Sequence, residues 1–146
     1  MAAIDIDSTL KTCLAGVFSR HPVALAYLFG SAATGRTTPL SDIDIALVLF
    51  EGQIDDKDRL MFELEVEDEL AGRCGISNAD VHVINKAPVA IRGEVVTEGV
   101  LLFSRDEEMR VEFETRTRSE YFDFLPAIKF IRESYFDHLR ERGFNG

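Results

Sequence analysis

Residues 28–50 read LFGSAATGRTTPLSDIDIALVLF, and this stretch decides the fold. It begins at the end of an apolar run, Val23 to Phe29, short enough for a buried strand. Gly30-Ser31 closes the run. Ser31 to Gly35 then reads as a short helix or turn, and Arg36 to Ser41 as a polar loop. A second run rich in Ile, Val and Leu follows from Asp42 to Phe50. Its opening residues alternate, so Asp42 and Asp44 share one face of a strand and Ile43 and Ile45 share the other.

Working outward, Leu10, Cys13, Leu14, Val17 and Phe18 recur at helical spacing over residues 7–20. Asp7 or Ser8 can cap that helix, and His21-Pro22 stops it. Downstream, Asp55 to Ala71 predicts a charged helix with Leu60, Met61, Leu64 and Leu70 on its inner side, ended by Gly72 and Gly75. Ala79 to Asn85 predicts a third strand with Asp80, His82 and Ile84 on one face. Pro88 opens a short helix to about Thr97, and Val100 to Phe103 reads as a last strand. From Asp106 to near Gly143 the pattern is helical, with a break expected at Pro126. With no repeat, linker or low-complexity tract, residues 1–146 read as a single domain. The expected fold class is α/β (α+β): a short mixed sheet flanked by helices, with a C-terminal helical extension.

Two carboxylates at i and i+2 on a strand lie about 6–7 Å apart on one face, at a rise of ~3.3 Å per residue. Side by side they repel, and a cation between them removes that cost. Transfer of a nucleotidyl group needs such a site. A hydroxyl attacks the α-phosphate, pyrophosphate leaves, and two divalent metals can stabilise both the attacking and the leaving oxygen. Mg²⁺ prefers hard oxygen ligands of this kind. Gly30 lets phosphate approach the backbone, and Ser31 stands at a helix start where N–H groups favour an anion. Arg36 can add positive charge beside a triphosphate. Asp80, at the head of the third strand, is the candidate third carboxylate and proton acceptor. His82, Ser41, Lys86 and Arg92 are read as rim, loop-orienting and surface residues rather than as part of the catalytic set.

Gly-Ser, ten residues, then Asp-x-Asp, bracketed by apolar strands, resembles the minimal nucleotidyltransferase (MNT) family of the DNA-polymerase-β-like superfamily. The family motif falls on Gly30, Ser31, Asp42 and Asp44, and its third carboxylate on Asp80 in ADVHVIN. The resemblance implies a polymerase-β-like fold, Mg²⁺ at Asp42, Asp44 and Asp80, and nucleotide held by Gly30, Ser31 and Arg36. One departure is that family members often carry Ala-Arg-Gly where this chain has Ala33-Thr34-Gly35-Arg36, which offsets the arginine. The tail around EYFDFLPAI resembles the subgroup encoded beside HEPN-domain ribonuclease toxins. That resemblance implies a type VII-like antitoxin, a protein adenylyltransferase that moves AMP from ATP to a tyrosine of its toxin. Adenine preference comes from the resemblance alone.

The remaining sequence sets bounds. The formal net charge of −10 argues against bulk nucleic acid as a partner and suits a basic protein or a small cation. No run reaches the ~20 apolar residues of a membrane span, and the N-terminus does not read as a signal peptide, so the cytoplasm is expected. Cys13 and Cys74 fit no metal spacing and are expected as two reduced thiols. Seven of the eleven phenylalanines follow residue 100. Tyr121, Phe124, Leu125, Ile128, Ile131, Tyr135 and Leu139 form one helical stripe, expected to pack on the domain's own sheet. Phe122, Phe130 and Phe136 lie partly off it, which makes residues 106–143 a candidate partner-binding segment in a hetero-oligomer. Two other functions stay open: an antitoxin acting by occlusion, and a nucleotidyltransferase acting on a small molecule of the aminoglycoside type.

Overall fold

The computed structural model describes residues 7–30 and 42–142. The expected turn at 31–35 and the loop at 36–41, with Ser31, Arg36 and Ser41, lie outside the described residues. The elements run α1 (Ser8–Phe18), β1 (Val23–Phe29), β2 (Ile43–Leu49), a 3₁₀ turn (Asp56–Asp58), α2 (Arg59–Cys74), β3 (Ala79–Val83), α3 (Val89–Glu98), β4 (Val100–Ser104) and α4 (Glu107–Arg142). The strands form one sheet in the order β3-β2-β1-β4. β1 is antiparallel to β2 and β4, and β2 is parallel to β3, so the sheet is mixed.

Strand alternation divides the core in two. Val23, Ala26, Leu28, Ile43, Ile45, Leu47 and Val81 face α1 and α2. Leu25, Tyr27, Ala46, Val48 and Ile84 face α3 and α4. β1 is apolar throughout, and β2 is apolar except at Asp44, because helices cover both faces of these central strands. α1 starts on the Asp7 carboxylate, which accepts from the Leu10 N–H at 2.8 Å.

α2 corrects two expectations. It runs through Gly72 to Cys74 and ends at Gly75, which adopts the left-handed φ of +73°. Its buried face is Phe62, Glu63, Val66 and Leu70, whereas Leu60 and Met61 stand 62% and 69% exposed and Leu64 is exposed as well. The apolar residues near the helix start are out of phase with the core. The glutamates are in phase because they have a function there. The Val81 N–H donates to Glu67 and the Val83 N–H to Glu63, each at 2.8 Å. These amides belong to β3, which among the described residues is an edge strand paired to β2 alone. At the other end of β3, Asn85 prolongs the ladder with its side chain: its amide accepts from the Leu49 N–H and donates to the Leu49 carbonyl, both at 2.8 Å.

Cys13 and Cys74 form a disulfide, with Cα atoms 5.9 Å apart, which corrects the expected pair of reduced thiols. It ties the middle of α1 to the last residue of α2. α4 is continuous across Pro126, where a break was expected. The missing N–H falls on an exposed part of the helix, where water can serve the Phe122 carbonyl instead. α4 is anchored through its first half. Phe113, Glu114 and Thr117 are buried, and Tyr121 packs so tightly against Gly93 of α3 that no Cβ would fit there. Beyond this point the expected aromatic stripe is only partly covered among the described side chains, and those of Tyr135 and Leu139 lie outside the described residues. Phe122, Phe124, Phe130 and Ile131 are exposed, and Tyr121, Leu125 and Ile128 are half-buried.

Candidate active site

The register of the sheet assembles the site. Phe29 of β1 stands opposite Asp44 of β2, which stands opposite Asp80 of β3. The next row of the same face is Tyr27, Ala46 and His82. Neighbouring strands lie about 4.8 Å apart, so the pairing brings two carboxylates together that are distant in sequence. Asp42 lies just before β2, exposed and two residues from Asp44, near enough for its charge to act on that carboxyl.

Gly30 follows β1 with φ +72°. A Cβ at this position would lie 2.5 Å from Asp44 Oδ2, so the glycine fixes how closely the turn approaches the carboxylate. The backbone angle favours glycine here, and a Cβ would push the Asp44 carboxylate aside. Burial pushes the Asp44 carboxyl above the usual range. The Asp80 charge raises it further, His82 partly opposes, and Asp42 and a hydrogen bond with Asp80 add to the rise. A half-buried carboxylate crowded by two others holds its proton more readily than a free one, and a cation beside it would oppose that rise.

His82 joins this group although its sequence position marked it only as a rim residue. Its Nε2 lies 3.0 Å from Asp80 Oδ2, and the Phe29 ring meets the imidazole edge-on with centroids 6.1 Å apart. One ligand atom each from Asp44, Asp80 and His82 lie within 4.8 Å of one another, close enough to share a cation. The signal in the sequence was the i, i+2 spacing from Asp80. Lys86 pairs with Asp56 at the surface, 3.1 Å away. Arg92 is more enclosed than expected, donating to the Ala87 carbonyl at 2.9 Å and pairing with Glu120 across α3 and α4. Neither residue belongs to the carboxylate row.

The row of carboxylates thus stands beside Gly30 at one end of a mixed sheet. Residues 13–108 match the family described as polymerase beta, nucleotidyltransferase. The chain belongs to that family. A search of curated proteins finds no match. Among solved structures, the nucleotidyltransferase resembles a chain of a toxin–antitoxin crystal structure with AMP-PNP (24% identity, TM-score 0.66, covering 86% of this chain and 98% of that one). It also resembles a chain of the toxin–antitoxin MntA-HepT (21% identity, TM-score 0.65, covering 89% and 99%). A third likeness is to the tri-AMPylated Shewanella oneidensis HEPN toxin in complex with MNT antitoxin (22% identity, TM-score 0.64, covering 88% and 97%). At these identities the likeness is one of fold. Among the described residues no helix is long and apolar enough to cross a membrane.

Proposed function

We propose that this nucleotidyltransferase is the antitoxin of a toxin–antitoxin pair and transfers AMP from ATP to a tyrosine hydroxyl of a HEPN ribonuclease toxin. The observation that carries the transfer chemistry is the register that sets Asp80 beside Asp44, with Asp42 two residues away. The toxin as acceptor rests on the fold shared with antitoxin complexes, one of them holding an AMPylated toxin. The crowded, reluctant Asp44 carboxyl fits a site meant for divalent cations.

Asp42, Asp44 and Asp80 would hold Mg²⁺, which supplies charge neutralisation at the α-phosphate and at the departing pyrophosphate. Gly30, Ser31 and Arg36 take the triphosphate. Gly30 keeps the backbone close to Asp44, so the phosphates enter next to the carboxylates. The tyrosine oxygen forms a bond to the α-phosphorus as the bridge to the β-phosphate breaks and pyrophosphate leaves with the electron pair. The phenolic proton passes to the Asp80 carboxylate. Residues 1–146 act as one domain in this reading, in the cytoplasm beside the toxin. The Cys13–Cys74 pair then faces a reducing environment, so the fold has to tolerate both thiols reduced.

Asp42→Asn combined with Asp44→Asn abolishes transfer of label from α-labelled ATP to the toxin while leaving the fold intact. Unchanged labelling would refute the proposal. The exposed Phe122, Phe124, Phe130 and Ile131 favour a second reading, neutralisation by occlusion. Occlusion alone predicts that truncation after Arg118 loses neutralisation and that the double aspartate variant keeps it.

A further inference from the structure

We propose that His82 is a nitrogen ligand of the metal site, and that it makes the site hold Mn²⁺ in preference to Mg²⁺. The inference rests on the reading of Asp44 and Asp80 as metal ligands and adds a donor of a different chemical kind. Three observations carry it. The first is spacing. Two neighbouring ligand atoms on an octahedral ion of ~2.1 Å bond length are about 3 Å apart. His82 Nε2 and Asp80 Oδ2 are 3.0 Å apart, and the ligand atoms of Asp44, Asp80 and His82 all fall within 4.8 Å. The second is placement. His82 stands opposite Ala46, whose methyl group leaves the imidazole room on the face where Asp44 projects two residues earlier. The third is support. The Phe29 ring contacts the imidazole edge-on, and the Val81 and Val83 amides on either side of His82 are both held by α2 carboxylates. A ligand on a strand fixed in this way is preorganised.

Imidazole suits borderline transition ions, whereas Mg²⁺ favours oxygen and dehydrates reluctantly. Replacing one oxygen donor by Nε2 therefore favours Mn²⁺ over Mg²⁺. The same 3.0 Å contact is compatible with His82 merely orienting Asp80 by a hydrogen bond, and metal affinity alone does not separate the two roles. Direct ligation does, because only a bound imidazole places a nitrogen nucleus in the first coordination sphere.

The test is pulsed electron paramagnetic resonance on the full chain loaded with substoichiometric Mn²⁺ and no nucleotide. The expected result is ¹⁴N modulation from one imidazole, absent in both His82→Ala and His82→Gln while Mn²⁺ still binds. Mn²⁺ affinity falls about tenfold in either variant. Mg²⁺ affinity changes by about twofold or less, so Mg²⁺ displaces Mn²⁺ more readily from the variants than from the native chain. Mn²⁺ bound to the native chain without ¹⁴N modulation would overturn the inference and leave the carboxylate site standing. Modulation that persists in both variants would overturn it too, assigning the nitrogen to His21 or His138. Failure of Mn²⁺ to bind at millimolar concentration would overturn both the inference and the metal reading beneath it.

Discussion

Gly30→Ala tests the turn that leads into the site, and Gly52→Ala separates its two effects. Both glycines hold a left-handed φ, +72° and +74°. Alanine in that region costs roughly 1–2 kcal/mol. A shift of about 2–8 °C in Tm follows for a domain of this size. The surroundings differ. A Cβ at Gly52 meets nothing within 4 Å, whereas one at Gly30 lies 2.5 Å from Asp44 Oδ2. Ordinary carbon–oxygen contact begins near 3.4 Å, so the Asp44 carboxylate has to retreat by about an ångström. Misplacing a catalytic group by that amount costs on the order of 100-fold in rate. Equal losses of Tm are therefore expected in the two variants, with AMP transfer reduced about 100-fold in Gly30→Ala alone. The assay is initial-rate labelling of the toxin from α-labelled ATP, beside thermal unfolding of each variant. Full activity in Gly30→Ala, or an equal loss in Gly52→Ala, would refute the argument.

Reduction of the Cys13–Cys74 disulfide opens a loop of 61 residues in the unfolded chain. The fold then loses up to about 4 kcal/mol, read as a lower urea midpoint with reductant than without; identical midpoints would contradict the pairing. Asp44 has a raised pKa in the fold, so its ionisation weighs against the native state once pH exceeds the ordinary aspartate range, and that penalty is absent at more acid pH where the carboxyl is protonated in both states. In metal-free protein, Asp44→Asn should therefore raise Tm at pH 7 and leave it unchanged near pH 3. A lower Tm at pH 7 would reverse the sign of the argument. Thr117 is fully buried and its hydroxyl has no hydrogen-bond partner among the described residues, so Thr117→Val should gain about 1 kcal/mol in denaturant unfolding.

The strands and most helix limits are legible because β1 is unbroken apolar, β2 is apolar apart from Asp44, and α1 carries a helical pattern. The site was legible in part. Asp42 and Asp44 announce a shared face by spacing alone, while the pairing of Asp44 with Asp80 depends on β3 joining β2 in parallel, which no local pattern encodes. α2 misled because Leu60, Met61 and Leu64 look like a core face, and Glu63 and Glu67 look like a wet one. Tertiary hydrogen bonding reversed both. The disulfide spans too many residues to leave a local signature, and Pro126 predicts a break that an exposed helix avoids by tolerating the proline at little cost. Ser31 and Arg36 fall outside the described residues, so their place beside Asp44 remains part of the proposal.

The bonds from Glu63 and Glu67 to the outer side of β3 have a consequence for solubility. An edge strand with free amides is a template on which another chain can add a strand, and such edges seed aggregation. Here the two donors facing outward at Val81 and Val83 are already occupied by the protein's own side chains. Changes at these glutamates would pass for harmless surface substitutions on a helix, yet they would uncover the rim of the sheet next to the carboxylates. The two residues close the β3 edge of the sheet to a further strand.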